Sequence, residues 1–387
     1  MPDSNRDDLS AEQFSSLFLE DVALMDVRAP VEFCAGAFPT ASNLPLLNDR
    51  QRHLIGTEYA EHGQPAAIDL GLGLATPDIR AQRIASWKRF IADNPDGYLY
   101  CFRGGLRSRI TQQWLADDGL HYPIVEGGYK ALRRYLLEQL TRLCNQGNII
   151  LLSGATGIGK TKLIDGRMCA VDIEGRANHR GSAFGKTFKP QPAQIDWENQ
   201  IIIDWLRCEA RSDAPVLIEA ESHLIGRIHL PKVLQEAMAR APVLLLQASM
   251  ADRVARLYQD YVEHSLLHYG GGSDDPHAAL YDDALGSLQR IKKRLGGLKF
   301  QQMSELLSHA TSLLREQNDS AGFYQFIEML LTDYYDALYQ HYQTKSEPRL
   351  VLSGNWSEIT DWLESNQQSI QGHSAAASLA VSQQARL

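Results

Sequence analysis

The segment Gly154–Thr161 constrains the fold of this chain more than any other feature. It reads Gly-Ala-Thr-Gly-Ile-Gly-Lys-Thr, follows the apolar run 148–153 and opens a helical pattern. A glycine-rich loop of this spacing between a buried strand and a helix is the Walker A pattern, whose backbone N–H groups wrap a diphosphate. The threonine of such a loop can hold Mg²⁺. The predicted diphosphate-binding residues are Gly154, Gly157, Gly159, Lys160 and Thr161.

Strand and helix patterns alternate along the chain, which predicts an α/β fold with parallel sheets and helices on both faces. The predicted strands are 23–27, 98–101, 124–125, 148–153, 171–173, 216–218, 243–246 and 350–352. The clearest helical patterns are 106–116, 195–211, 279–295, 300–314 and 321–343. The polar, glycine-containing segment 48–77 reads as a long excursion from the sheet.

These patterns divide the chain into two domains and a tail. Residues 1–144 form the first predicted domain, and residues 145–372 form a P-loop NTPase-like domain whose helical C-terminal extension covers about 279–343. The tail 373–387 is rich in alanine, serine and glutamine, and we expect it to be disordered.

Charge and cysteine content indicate where such a protein works. The net charge of −9 argues against a chain that is basic throughout. The five cysteines form no C-x-x-C pair and no zinc spacing, which suits a reducing compartment. The N-terminus lacks the apolar segment of a signal peptide, and no apolar run is long enough to span a membrane. We expect a cytoplasmic protein without a membrane anchor or a structural metal.

Two short stretches are nevertheless basic and contain no acidic residue. The simplest explanation of either one alone is a solvated face, but a local positive patch can also bind a polyanion. The basic residues of the first stretch are Arg176, Arg180, Lys186 and Lys189. Those of the second are Arg290, Lys292, Lys293, Arg294 and Lys299.

A second anion-binding loop is predicted at Cys101, which ends a strand and begins a loop that runs into a helix. Successive N–H groups and the helix dipole would then face a ligand above the sulfur. A thiolate is the reactive form of cysteine, so a positive environment favours a nucleophile here. A buried structural cysteine is the alternative. The predicted loop residues are Arg103, Gly104, Gly105, Arg107 and Ser108.

This first domain resembles the rhodanese family. The resemblance rests on Leu-Met-Asp-Val-Arg at 24–28, Glu-Phe at 32–33, Asn-Leu-Pro at 43–45 and Glu-Gly-Gly-Tyr at 126–129. It implies that Cys101 holds the persulfide position and that Asp26 and Arg28 support the loop. The Cys-x5-Arg spacing departs from most sulfur-moving members and matches the thiol phosphatases. However, Tyr100 rather than histidine precedes the cysteine, and no aspartate general acid can be identified.

Two polar segments follow strands of the predicted P-loop domain. The strand 216–219 has the position of a Walker B strand but ends in glutamate rather than aspartate, and a plain buried strand explains it equally well. Polar segments that contain several glycines are unsuited to a hydrophobic core, but they are typical of loops that bind ligands. The residues that we predict for a second part of the site are Glu174, Arg176, Asn178, His179, Arg180, Glu219 and Glu221.

Taken together, the two domains resemble the bacterial tRNA 2-selenouridine synthase family. The resemblance rests on Cys-Phe-Arg-Gly-Gly-Leu-Arg-Ser at 101–108, on the run 174–185 and on Arg-Ile-Lys-Lys-Arg-Leu-Gly-Gly at 290–297. It implies a transferase that acts on wobble 2-thiouridine in tRNA. Geranyl diphosphate first alkylates the sulfur, and selenophosphate then supplies selenium. The resemblance implies no tightly bound cofactor, and the selenophosphate synthase is a possible further partner.

Several alternatives stay open at the level of sequence. The basic runs are candidate tRNA contacts, and Phe102, Tyr129 and Phe184 are candidates for stacking on the base, although a core or turn position is the simpler explanation of each. Cys101 could carry selenium or could assist the loss of geranylthiol. An ATP-dependent kinase or switch protein with a rhodanese-like sensor domain is the main alternative function, and a non-catalytic adaptor is another.

Overall fold

The computed structural model describes residues 7–146, 148–165, 167, 169–185, 187–339 and 349–366. The chain divides into two compact units. The first unit consists of Met1–Arg142 together with Ala193–Arg207, and the second of Leu143–Pro192 together with Cys208–Leu387. Each unit contains a parallel sheet flanked by helices, so the predicted α/β class is confirmed.

The first unit is built on a short parallel sheet in the order β2-β1-β3. Asp26 at the end of β1 lies in register with Asn43 on β2 and Tyr100 on β3. The predicted strand at 124–125 forms isolated bridges with Leu99 and Leu9 rather than a full strand. The elements are β1 (Leu24–Asp26), β2 (Ala41–Asn43), β3 (Tyr98–Tyr100), α1 (Phe14–Leu19), α2 (Pro30–Cys34), α5 (Leu106–Asp117) and α6 (Gly128–Gln146).

The segment 48–77, which reads as an excursion in the sequence, is helical instead. It forms α3 (Asp49–Leu74), and α4 (Pro77–Asp93) follows it. Gly63 interrupts α3 with φ +83°, and the two halves fold back on each other, since Gln51 reaches the Leu74 carbonyl at 3.5 Å. Asn48 caps the helix by accepting the Gln51 N–H at 2.8 Å.

Polar contacts explain why 193–207 belongs with the first unit, although the sequence placed it in the P-loop domain. This stretch is most of α9 (Gln194–Arg211). Asp196 Oδ1 accepts the Ala37 N–H at 2.6 Å, and Asn199 donates to the Ala37 carbonyl at 2.7 Å. Arg133 also donates to Asn199 Oδ1 at 2.7 Å. Asn199 is fully buried, so its contacts fix the helix there.

The second unit contains a five-stranded parallel sheet in the order β10-β9-β4-β6-β5. Its central strand β4 is buried along its whole length and ends where the Walker loop begins. The predicted strand at 350–352 joins the sheet beside β9. The strands are β4 (Ile149–Ser153), β5 (Ala170–Val171), β6 (Val216–Glu219), β9 (Val243–Leu246) and β10 (Leu350–Gly354), with a hairpin of β7 (Leu224–Ile225) and β8 (Ile228–His229).

The helices of this unit confirm the predicted helical C-terminal region. The helices of the unit are α7 (Lys160–Ile164), α8 (Ile173–Arg176), α10 (Lys232–Arg240), α11 (Met250–Tyr258), α12 (His264–Gly270), α13 (Pro276–Leu295), α14 (Gly297–Gln317) and α15 (Ala321–Leu330), with π-helical turns at Gln259–Glu263 and Leu331–Tyr335. Helices α11 to α15 pack on a core of their own that includes Leu288, Met303, Phe323 and Leu330.

The end of the last predicted helix, 340–343, and the predicted tail 373–387 lie outside the described residues. Among the helices that the structure does describe, none combines the length and the apolar character needed to cross a membrane.

Candidate functional site

The Walker loop has the backbone shape that a diphosphate nest requires. Gly157 and Gly159 have φ values of +78° and +96°, and a Cβ on Gly157 would lie 2.8 Å from the Leu257 side chain. Glycine is therefore needed at Gly157 on both conformational and steric grounds. Within the described chain, the N–H groups of Gly157, Gly159 and Lys160 donate to no protein acceptor. They remain available for an anion.

Two arginines of α11 hold this loop from outside, and the sequence analysis did not find them. Arg253 donates from Nε to the Thr156 carbonyl at 2.9 Å, and Arg256 donates to the Ile158 carbonyl at 3.1 Å. Arg253 is itself held by Asp336 at 3.0 Å. Because the loop carbonyls are engaged by these arginines, the N–H groups are its free polar groups.

Lys160 lies among three carboxyl groups that the sequence analysis assigned to a second part of the site. Its Nζ donates to the Gly154 carbonyl at 3.1 Å. Burial alone would lower the pKa of Lys160, but the charges of Glu174, Glu221 and Glu219 outweigh it and raise the pKa. The lysine is therefore protonated at neutral pH and carries the charge that a diphosphate needs.

Two of these carboxyl groups are held in an environment that disfavours their charge. Burial raises the pKa of Glu174 well above its ordinary value, and the hydrogen bond and charge of Glu221 raise it further. Burial also raises the pKa of Glu219 well above its ordinary value, helped by the charge of Glu174. Such strongly perturbed groups in a cleft are typical of a functional site.

Thr161 and Glu219 form the link between the loop and β6. Thr161 Oγ1 donates to Glu219 Oε1 at 3.1 Å. Glu219 is fully buried, and its Oε2 has no hydrogen-bond partner in the described residues. A buried carboxylate oxygen without a partner beside a Walker threonine fits a divalent cation that also binds phosphate. No cluster of three or more protein metal ligands occurs in the described part of the chain.

The loop after β5 contributes only some of its predicted residues to this site. Glu174, Arg180 and Ser182 line a cleft of about 120 Å³ together with the Walker loop. Arg180 pairs with Asp260 at 3.4 Å. By contrast, Asn178 donates to the Pro190 carbonyl at 2.9 Å, which gives it a structural contact outside the cleft.

His179 and Arg176 also lie away from the cleft lining. Burial, followed by the charge of Arg290, lowers the pKa of His179, which favours its neutral form. Its Nδ1 accepts the Gly181 N–H at 3.1 Å. Arg176 ends α8 and is exposed.

The two basic stretches meet at one point of the second unit. Arg290 donates to the Ala183 carbonyl at 3.1 Å and so joins the stretches. Lys189 is exposed, whereas Lys186 lies outside the described residues. The last turn of α13 presents Lys292, Lys293 and Arg294 to solvent, and the Lys292 ammonium lies 4.6 Å from the Phe300 ring centre. Arg290, Lys292, Lys293 and Arg294 form a basic surface at the end of α13, and none of the four lines the cleft.

The cysteine loop lies at the end of β3, in the first unit. Cys101 exposes only 3% of its surface, whereas the next residue, Phe102, exposes 37%. Gly104 has φ +63°, and a Cβ there would lie 2.8 Å from the Val125 carbonyl oxygen. In the described chain, the N–H groups of residues 102–105 have no protein acceptor. Cys101 therefore forms the base of an exposed loop with free donors.

One of the two arginines of this loop, Arg107, is paired, which the sequence did not reveal. Arg107 forms a two-pronged ion pair with Glu32, at 2.6 and 3.1 Å. Burial raises the pKa of Glu32, but the bonds and charge of Arg107 outweigh burial and lower it. The net charge that Arg107 gives the loop is thus reduced. Arg103 is exposed and makes no ion pair in the described residues.

Asp26 and Arg28 form a buried pair below the same loop. Arg28 Nη2 donates to Asp26 Oδ2 at 2.6 Å and to the Gly36 carbonyl at 2.8 Å. Its guanidinium carbon lies 3.9 Å from the centre of the Tyr129 ring. Ser108 is fully buried, and its Oγ has no partner among the described residues.

The three aromatic candidates for base stacking differ in their availability. Phe102 is partly exposed and stacks on Tyr129, which is buried, with ring centres 5.9 Å apart. Phe184 packs between Tyr261 and Phe326 in the helical core. Phe102 is therefore the one of the three with a substantially exposed ring.

Comparison with known proteins covers both sites. Residues 147–370 match the family described as "tRNA 2-selenouridine synthase AAA domain". The chain is 46% identical to the tRNA 2-selenouridine synthase of Marinobacter nauticus, over 92% of this chain and 97% of that protein. It is 45% identical to the synthase of Hahella chejuensis (92% and 94% covered) and 41% identical to that of Shewanella piezotolerans (92% and 99%). The chain belongs to the tRNA 2-selenouridine synthase family.

Proposed function

We propose that this protein converts wobble 2-thiouridine in tRNA into 2-selenouridine through an S-geranyl-2-thiouridine intermediate. Geranyl diphosphate and selenophosphate are the two small-molecule substrates. The observation that carries the proposal is the similarity to tRNA 2-selenouridine synthases over 92% of the chain, a length that takes in both anion-binding loops.

The first step belongs to the Walker loop. The thiocarbonyl sulfur of the base attacks the carbon of geranyl diphosphate that bears the diphosphate. A carbon–sulfur bond forms, the carbon–oxygen bond breaks, diphosphate leaves and the base loses its N3 proton. The protonated Lys160 and the free N–H groups of the loop stabilise the negative charge that develops on the leaving diphosphate.

A divalent cation would assist this step by binding next to the diphosphate. Thr161 and the unpartnered Oε2 of Glu219 would hold Mg²⁺, which would add positive charge next to the diphosphate. Glu219 would ionise on binding the metal ion, and the Glu219 carboxylate would then orient the Thr161 hydroxyl.

The second step belongs to the cysteine loop of the first unit, which we propose to be rhodanese-like. Selenium of selenophosphate forms a bond to C2 of the base, the C2–sulfur bond breaks, and the sulfur leaves with its geranyl group as a thiol after taking up a proton. Water then removes the phosphoryl group as phosphate. The free N–H groups of residues 102–105 suit a phosphate-like oxyanion, and Cys101 lies at the base of that loop, where it assists departure of the geranylthiol.

The basic surface of the second unit is the proposed contact for the tRNA backbone. Arg290, Lys292, Lys293 and Arg294 are exposed at the end of α13. Phosphate contacts supply affinity that falls as salt rises. Phe102 is the proposed stacking partner for the base, and a tRNA substrate puts the reaction in the cytoplasm.

Reconstitution with purified components tests the function. The complete protein is incubated with a tRNA that contains 2-thiouridine, first with geranyl diphosphate and then with selenophosphate, and the nucleosides are identified by mass spectrometry. We expect S-geranyl-2-thiouridine after the first addition and 2-selenouridine after the second. Lys160-dependent release of phosphate from ATP, with the nucleoside unchanged throughout, would support the kinase alternative instead.

A further inference from the structure

The helical hairpin α3, which no part of the proposed function uses, forms one wall of an apolar groove in the first unit. The groove is open and has a volume of about 260 Å³. Its walls are almost entirely apolar and include Ile55, Ala67, Ile68, Leu72 and Ile110. Tyr59 and Leu72 expose 59% and 56% of their surfaces at its rim. A contiguous exposed apolar surface of this kind marks a binding site for an apolar group.

The volume of the groove suits a branched chain of about ten carbons. An apolar cavity of about 150 Å³ holds one benzene ring. The groove of about 260 Å³ is therefore large enough for a geranyl group. Another pocket in the described residues, among Phe184, Phe323 and Phe326 of the second unit, has only about 60 Å³ and is too small in this structure.

The groove adjoins the cysteine loop. Leu106 and Arg107, the first two residues of α5, line the groove and directly follow that loop. Leu46 and Trp114 also line the groove, and both belong to the buried cluster that contains Cys101. The groove thus shares lining residues with the buried cluster around the cysteine.

Among the polar side chains that line the groove (Gln64, Arg83 and Arg107), Arg83 offers a buried donor. Arg83 lines the groove and donates from Nη2 to Gln51 Oε1 at 2.6 Å. Its Nη1 is buried and has no partner in the described residues. A ligand that is apolar over most of its length and carries one heteroatom would match the apolar walls and could accept a hydrogen bond from Arg83 Nη1.

We propose that this groove binds the geranyl group of S-geranyl-2-thiouridine during the selenium step. The proposal rests on the function proposed above. It deepens that function by giving the intermediate its own chain-binding site, distinct from the site at which geranyl diphosphate reacts. Holding the chain there fixes the carbon–sulfur bond that must break next to the cysteine loop.

A pair of substitutions on the same helix tests the groove in the complete protein. Ala67→Phe fills the groove, because Ala67 lines it and is 6% exposed. Ala60→Phe is the matched control, since Ala60 is exposed and does not line it. Both proteins receive tRNA already converted to the S-geranyl form, and formation of 2-selenouridine from selenophosphate is followed. Geranylation of thiolated tRNA is measured in parallel.

We expect Ala67→Phe to raise the concentration of S-geranyl tRNA needed for half-maximal selenation by at least about tenfold, which corresponds to ~1.4 kcal/mol. Geranylation by Ala67→Phe, and both steps in Ala60→Phe, should match the unaltered protein. Selenation by Ala67→Phe at the normal rate and substrate concentration would overturn the proposal. If the unaltered protein forms no geranylated tRNA at all, the proposed function fails instead.

A measurement on the unaltered protein tests the groove without relying on a variant that could misfold. Titration calorimetry with free S-geranyl-2-thiouridine and with 2-thiouridine compares ligands that differ only in the chain. We expect the geranylated nucleoside to bind at least about tenfold more tightly. Equal affinities of the two nucleosides would contradict the assignment.

Discussion

Replacing Lys160 by methionine should separate the two proposed steps. Methionine keeps most of the side-chain volume and removes the charge. One of the three Nζ donors bonds the Gly154 carbonyl at 3.1 Å, which leaves two for the diphosphate. The fold should survive, because burial already raises the pKa values of the neighbouring Glu174 and Glu219, and loss of the Lys160 charge would raise them further and favour the uncharged carboxyl forms.

The size of the effect follows from the bonds that are lost. A hydrogen bond to a charged group contributes about 1.5–3 kcal/mol, so loss of a single bond to the departing diphosphate slows geranylation roughly 10- to 150-fold. The assay is single-turnover geranylation of thiolated tRNA at saturating geranyl diphosphate. Lys232→Met serves as the control, because the Lys232 side chain is 89% exposed on α10 of the same unit.

Selenation of tRNA that is already geranylated should proceed normally in Lys160→Met, since that step is proposed for the other unit. A geranylation rate of Lys160→Met within about threefold of the normal rate would refute the reasoning, because that change is smaller than the loss of one hydrogen bond to a charged group would produce. Equal loss of both steps would point to a folding defect, which a thermal melt would show.

The remaining predictions concern stability and RNA affinity. Asp26→Ala leaves the Arg28 guanidinium buried without its carboxylate partner and should lower the free energy of unfolding by about 3–5 kcal/mol in urea titrations; a change below ~1 kcal/mol would contradict the role of this pair. Glu219→Gln should raise the melting temperature more at pH 8 than at pH 4. The pKa of Glu219 is raised in the folded state, so its contribution to stability is present at low pH and is lost as pH rises above the ordinary glutamate value. An equal change at both pH values would count against that burial effect. Replacing Lys292, Lys293 and Arg294 by glutamine should weaken tRNA binding. The slope of the logarithm of the binding constant against the logarithm of the salt concentration should become shallower by up to roughly 0.7–0.9 for each phosphate contact that is lost. An unchanged salt slope in filter binding would remove this surface from the RNA interface.

Local patterns with an obligatory backbone shape were predictable from the sequence. The Walker loop and the loop after Cys101 were both predicted at the end of a strand. Their glycines indicate a tight loop, because glycine permits the positive φ seen at Gly157 and Gly104. The helices near the C-terminus were also predicted, since their apolar residues recur at helical spacing and pack on one core.

Features that depend on distant residues were not predictable. The helix α3 contains Gly63 and Pro65, which locally favour a break, and only folding back of its two halves makes it a hairpin. The Arg107–Glu32 pair joins residues 75 positions apart, and Arg253 reaches the Walker loop from 97 positions away. No spacing rule within a single segment reveals such contacts.

We propose that one chain uses two chemically separate centres on the same tRNA base. The nucleoside content of tRNA, measured by mass spectrometry in cells whose sole copy of the protein carries Cys101→Ala, tests this division. Cys34→Ala, at an exposed cysteine of the same unit, is the control. We expect S-geranyl-2-thiouridine to accumulate and 2-selenouridine to disappear in Cys101→Ala. Disappearance of both nucleosides together, or normal levels of 2-selenouridine, would contradict it.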